Sequence, residues 1–208
     1  MNKNLVLILI ILLLSGCALT RQPQIPVAVY DFGLQQSPYS TQTTKIPQTK
    51  IYNIQVPEAT SPLWLDNQAI HYRLSYHNAA ESYTYANSRW TAAPAALFTQ
   101  IVRQRIVSDT HNQITNDNDH AKTDYILHMD LGEFTQVFDT INNSRAVISL
   151  RTSLIERRTR LLLAQNNFSM EETAPTANAA GAVHALTISS SKLVDKLIDW
   201  LSQELANR

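Results

Sequence analysis

The stretch that decides the fold reads Tyr125-Ile-Leu-His-Met-Asp-Leu-Gly-Glu-Phe-Thr-Gln-Val-Phe138. Tyr125, Leu127, Met129 and Leu131 alternate with Ile126, His128 and Asp130, the period of two that puts one face of a strand in a core. At Gly132 the alternation slips and resumes at Phe134 and Phe138, so the strand is expected to bulge or twist sharply there. Beyond it, Asn142-Asn143-Ser144 turns the chain into a second alternating run, Ala146, Ile148, Leu150, Thr152 and Leu154. A short charged turn at Arg157–Arg160 leads into a third strand, Leu161–Met170. Neither turn is long enough for a crossover helix, so the three strands form an antiparallel meander.

Working outward, the small-residue linker Thr173–Gly181 precedes a terminal helix. Its buried stripe is marked by Leu186, Leu193, Val194, Leu197, Ile198, Leu201 and Leu205. Upstream, the polar stretch Ser108–Thr123 reads as a loop. Before it, Leu97, Phe98, Ile101, Val102 and Ile106 fall at helical spacing, with Thr91 as the expected N-cap and Pro94 in the first turn. Earlier still, Ile70, Tyr72, Leu74 and Tyr76 alternate with His71, Arg73, Ser75 and His77. With a turn at Asn78–Glu81 and a return over Ser82–Tyr85, they predict a hairpin. Val27–Phe32 and Lys50–Val56 are two further strands, separated by a Gln-, Ser-, Thr- and Pro-rich loop at 35–49. Six or seven strands and two helices in this order predict an α+β fold: a two-layer sandwich, its mixed, mostly antiparallel sheet carrying two helices on one face.

The chain has 208 residues, of which 44% are hydrophobic, enough to bury a core in one or two domains. Lys and Arg number 17 against 17 Asp and Glu, and this neutrality excludes a nucleic-acid binder that displaces counterions through a basic face. A single Cys excludes a disulfide framework and a cysteine-based zinc site. Four glycines leave little room for phosphate-cradling loops.

That one cysteine stands where a particular chemistry needs it. Met1-Asn-Lys-Asn4 is followed by an unbroken apolar run from Leu5 to Leu14. At a rise of ~1.5 Å per residue this run covers about half the hydrocarbon thickness, too little for a membrane span and the layout of a secretory signal. It ends in Leu14-Ser15-Gly16-Cys17, which resembles a bacterial lipobox. Cleavage between Gly16 and Cys17 would leave Cys17 as the new N-terminus, carrying a thioether-linked diacylglycerol and an acyl chain. Two or three such chains hold a protein stably to a bilayer. Ala18, where an Asp would retain the protein at the inner membrane, implies sorting to the outer membrane. The expected division is a signal peptide over 1–16, a lipidated tether over 17–26 and a single periplasmic domain over 27–208.

Signatures of catalysis are scarce. The six histidines show no helical metal-ligand spacing. Asp117-Asn-Asp119 begins like a calcium loop, but Lys122 and His128 occupy the positions that need Gly and Glu. Walker, G-x-S-x-G and H-E-x-x-H motifs do not occur. Asp130 and Glu133 read as exposed strand residues that protect an edge. His71 and His77 read as surface residues of the hairpin's solvent face. No metal, cofactor or catalytic residue is therefore assigned. The aromatic residues are more distinctive: Tyr72, Tyr76, Tyr83 and Tyr85 cluster on the hairpin, with Trp64 and Trp90 on its flanks. They fit either ordinary sheet packing or a ledge facing a partner or lipid.

The order of these features resembles the ABC-type transport auxiliary lipoproteins, the PqiC-like family. The resemblance is carried by the lipobox, the early strand pair, and the hairpin running through Tyr85-Ala-Asn-Ser-Arg89-Trp90-Thr91-Ala-Ala-Pro94 into a helix. The strands Tyr125–Phe138 and Ala146–Leu154, and the one bearing Phe168, extend it over about residues 27–205. It implies a non-catalytic lipoprotein of the outer membrane, facing the periplasm and able to assemble as a homo-oligomer. Its partners would be an MCE-domain periplasmic protein with a permease and an ATPase, together moving phospholipid between membranes. The other readings are an adaptor of lipopolysaccharide export or of a peptidoglycan synthase, and a periplasmic hydrolase with a dispersed site.

Overall fold

The structure, a computed structural model, describes residues 26–33, 50–115 and 121–208. Leu14, Ser15, Gly16, Cys17 and Ala18 lie outside the described residues, as do the 35–49 loop and Asp117–Asp119. The elements in chain order are β1 (Ala28–Tyr30), β2 (Asn53–Gln55), β3 (Ala69–Leu74), β4 (Asn78–Trp90), α1 (Pro94–Asp109), β5 (Gln113–Thr115), β6 (Tyr125–Phe138), β7 (Ser144–Glu156), β8 (Leu162–Thr173) and α2 (Ala179–Ala206).

The eight strands among the described residues join one mixed sheet with β6 at its centre. On one edge β6 pairs antiparallel with β7 along its whole length, and β7 pairs antiparallel with β8. This is the expected meander. The register shifts between Leu131 and Glu133, the bulge that the slipped alternation at Gly132 predicts. After it, Phe134, Gln136 and Phe138 continue the buried face that Leu127, Met129 and Leu131 begin.

The other edge of β6 is shared among three segments. Tyr125 and Ile126 pair in parallel with β2, and Gln136 to Phe138 pair in parallel with β3. Between them Thr60 bridges the gap: its N–H donates to Met129 O at 3.0 Å and its carbonyl accepts from Leu131 N at 2.8 Å. Beyond these, β5 adds to β2, β4 returns antiparallel from β3, and β1 lies parallel to the end of β4. The long pairings are antiparallel and the four short ones parallel.

The two helices among the described residues lie on one side, α2 running across β6, β7 and β8 and touching α1. The stripe Leu186, Leu193, Val194, Leu197, Ile198, Leu201 and Leu205 is buried throughout. Asn178 caps α2 by accepting from Gly181 N at 3.0 Å. Gly181 itself has no room for a side chain, since a Cβ would fall 1.9 Å from the Thr176 carbonyl oxygen. Phe32, Trp90 and Phe134 form an aromatic knot with centroids 5.3–5.7 Å apart, tying the segment just after β1 to β4 and β6.

Four local expectations are corrected. Asn78–Glu81 is not a turn; Ser75–His77 turns instead, and β4 then runs 13 residues to Trp90. His77 N donates to Leu74 O at 3.0 Å and closes that earlier turn. Thr91 does not cap α1: its N–H is held by Tyr30 O at 2.8 Å, and Ala93 precedes Pro94 with no side-chain cap. The 108–123 stretch is not all loop, because Gln113–Thr115 forms β5. Its sequence offers one apolar residue, so it has no alternation to read. Finally, His71 is buried at 7% exposure and is not a surface residue.

Leu197 is fully buried. Leu197→Ala is expected to cost ~2–5 kcal/mol, transfer and cavity terms together. The urea midpoint should fall accordingly; an unchanged midpoint would mean that the stripe is not packed as described.

Candidate functional site

The hairpin tyrosines separate into two groups. The register pairs Tyr72 with Tyr83 across the hairpin and with Gln136 on β6. Cross-strand partners share a face, so these rings stand on the same side as Ala146 and the helices. Tyr72 stacks on Tyr83 at 5.3 Å, lies 4.7 Å from Tyr85 and meets the edge of Phe138 at 5.7 Å. Such pairs contribute ~0.5–1.5 kcal/mol each beyond the area they bury. The Tyr85 hydroxyl donates to Gln136 Oε1 at 2.6 Å, and Gln136 Nε2 donates to Ser144 Oγ at 2.8 Å. Burial holds the Tyr85 phenol well above the ordinary tyrosine range, with the nearby Tyr72 adding to the effect. It is a neutral hydrogen-bond donor. Tyr83 donates to the Glu81 carboxylate at the rim. Tyr76 stands apart from the stack, in the turn, at 48% exposure.

The opposite face of the same strands carries a polar cluster. His71 and Arg73 project there from β3, with Glu133 and Thr135 beside them on β6. Trp64, from the turn that follows Pro62, closes over them. Its ring meets His71 edge-on at 5.2 Å, and the Arg73 guanidinium sits 5.4 Å from its centroid. Arg73 reaches Glu133 at 3.7 Å. His71 Nδ1, Arg73 Nε and Thr135 Oγ1 are buried without a hydrogen-bond partner in the chain. His71 is held below the ordinary histidine pKa, first by burial and then by Arg73, with Glu133 opposing.

An open groove of about 490 Å³ lies between β1 and α2, lined by Tyr30, Asp31, Thr91, His184, Thr187 and Ile188 among others. Among the described residues no group of three His, Cys, Asp or Glu could hold a metal ion. Asp130 accepts from the Thr60 hydroxyl at 3.1 Å, and Glu133 pairs with Arg73.

Sequence reasoning found the tyrosines but not their partners Phe138 and Gln136, and it missed the His71 cluster. Both depend on the parallel pairing of β3 with β6, some 60 residues apart in sequence, which no local period announces. Removing the Tyr85 hydroxyl leaves a fully buried Gln136 oxygen unpaired. Tyr85→Phe should therefore destabilise the fold by ~1–3 kcal/mol in denaturant melts, and equal stability would rule out that bond. His71 binds its proton less readily folded than unfolded, so its contribution is complete above its unfolded pKa and is lost as pH falls through that value toward the lower folded one. Stability should drop on acidification from pH 7, with a shallower slope in His71→Gln. Parallel slopes would show that His71 is not the titrating group.

Comparison with known proteins fits this architecture. No curated protein matches the sequence. In structure the chain is similar to protein XCC0632 from Xanthomonas campestris, of the family DUF330, at 14% identity and a TM-score of 0.65, covering 88% of this chain and 90% of that one. It is also similar to protein CT253 from Chlamydia trachomatis, at 8% identity and a TM-score of 0.53, covering 76% of this chain and 100% of that one. At these identities the likeness is one of fold. The sequence itself carries the assignment: residues 30–197 match the family model of the ABC-type transport auxiliary lipoprotein component. That span takes in the aromatic knot, the tyrosine stack, the His71 cluster and most of α2, and the chain belongs to the ABC-type transport auxiliary lipoproteins.

Proposed function

We propose that the protein is a lipid-anchored, non-catalytic subunit of an MCE/ABC-type intermembrane phospholipid transport system. In this reading residues 1–16 are removed and Cys17 carries the diacylglycerol and acyl chain. Residues 17–26 tether the domain 27–208 to the periplasmic face of the outer membrane. There it docks the periplasmic end of an assembly whose MCE-domain protein, permease and ATPase do the work of transfer.

The observation that carries this reading is the family match over residues 30–197, joined to the lipobox Leu14-Ser15-Gly16-Cys17 and to Ala18 after it. The site chemistry is compatible with it. The tyrosine stack and the Trp64–Arg73 pair are aromatic, half-buried surfaces of the kind that anchor macromolecular contacts. No helix among the described residues is long and apolar enough to cross a membrane, so attachment in this reading depends on the lipid.

In-cell crosslinking of the lipidated protein, followed by pull-down and mass spectrometry, should recover an MCE-domain protein. Recovery of lipopolysaccharide-export or peptidoglycan machinery alone would replace this reading with that of another envelope adaptor. Cys17→Ser should abolish lipid labelling and leave the precursor uncleaved; normal labelling of that variant would remove the anchor from the account.

A further inference from the structure

The sheet has two ends that differ in how the tether can reach them. At one end the β3–β4 turn and the β6–β7 turn lie side by side: Ser75 N and Ser75 Oγ donate to Phe138 O at 3.0 and 2.7 Å. The tips of these turns expose Tyr76 and Ile141, at 48% and 72%. Directly beneath sits the stack of Tyr72, Tyr83 and Phe138. At the other end the β7–β8 turn exposes Leu161 at 60%, beside exposed Arg157, Arg158 and Arg160.

Chain direction chooses between the ends. β1 is parallel to β4, with Ala28 opposite Ser88 and Tyr30 opposite Trp90, and β4 runs away from the β3–β4 turn. Pro26 and Val27, which precede β1, therefore enter from the hairpin end. Arg89 is opposite Ala69 on β3, five residues short of Leu74, so the hairpin end is ~16 Å from the start of β1 at the usual strand rise. Continuing the β3–β6 register places Ala69 beside Glu133. Tyr125 is eight residues further back, ~27 Å away in the opposite direction. Nine residues, 18–26, reach at most ~30 Å fully extended. They span the hairpin distance with slack, whereas the Arg157–Leu161 end would need a reversal and nearly the full contour.

We infer that the hairpin end is the membrane-contacting surface of the domain, with Tyr76 and Ile141 seated in the headgroup layer and the tyrosine stack behind them. This rests on the proposed anchoring at Cys17. Tyrosine suits the position, its ring on the apolar side and its hydroxyl in the wet boundary. Asp139 at the same end is paired with Arg145 at 3.2 Å and Glu81 holds the Tyr83 hydroxyl. Among the described residues the end thus offers no unpaired basic cluster, and the contact is apolar, without dependence on attraction to anionic lipid. The Arg157–Leu161 end then points into the periplasm.

The test uses full-length lipidated protein in vesicles of phosphatidylethanolamine with a minor share of phosphatidylglycerol. The thioether to diacylglycerol occupies the Cys17 sulfur, so Tyr76→Cys, Ile141→Cys and Leu161→Cys each offer one free thiol for an environment-sensitive fluorophore. The labels at 76 and 141 should shift to the blue and lose most of their emission to headgroup-linked quencher lipids, while the label at 161 stays water-like. Labels at 76 and 141 that remain in water, or that shift without lipid quenching, overturn the inference. So does quenching confined to 161. Mass spectrometry of the N-terminal peptide separates the two levels: acylated Cys17 with unquenched tips refutes the placement alone, and an unmodified Cys17 refutes the anchoring as well.

Discussion

The structure depends on how one edge of β6 is divided. A 14-residue strand that pairs with β7 along its entire length has a second edge to satisfy, and the chain fills it from three directions. β2 takes the first two residues, the Thr60 backbone takes the middle, and β3 takes the last three. Unpaired backbone groups in a core cost as much as lost hydrogen bonds, so this division leaves little freedom in where the 53–74 segment runs. The bulge at Gly132 falls between the middle contact and β3. It lets the strand turn after Leu131 while keeping Phe134, Gln136 and Phe138 on the buried face.

From that constraint follow both polar features of the fold. Parallel pairing sets Tyr72 beside Gln136 and Leu74 beside Phe138. It thus assembles the tyrosine stack on the helix side and, one residue out of phase, the His71–Arg73–Glu133 cluster on the other. Neither is a product of the hairpin alone. The Tyr85–Gln136–Ser144 chain of hydrogen bonds extends the same link through to β7. The hairpin end of the sheet is thereby tied together where two turns and an aromatic stack converge.

The legible parts of the sequence were those with local period. The meander, the slip at Gly132 and the leucine stripe of α2 are all written in alternation or helical spacing, and the structure has them at the expected residues. Turn placement was less readable: Asn78-Ala-Ala-Glu81 has turn chemistry, yet Ser75–His77 turns first because Ser75 is captured by the Phe138 carbonyl. β5 was hidden because Gln113-Ile-Thr115 has too little apolar pattern. His71 looked like a solvent-facing residue because nothing near it in sequence shows that Trp64 folds back over it. A contact distant in sequence thus displaced the turn, β5 lacked a local signal, and His71 is covered by a chain reversal only seven residues upstream. The proposed anchoring segment is the reverse case, since Leu14-Ser15-Gly16-Cys17 resembles a lipobox through a purely local signature.

The central claim is that β6 holds the two halves of the sheet in one cooperative body and so fixes both faces of its hairpin end. Native-state hydrogen exchange tests it most directly. Amides of β6 from Leu127 to Gln136, with their β7 partners, should be the slowest in the protein and should exchange only through global unfolding. If β6 amides instead open at a lower free energy than the β3–β4 hairpin, the spine is not what holds the structure together, and the account fails at its base.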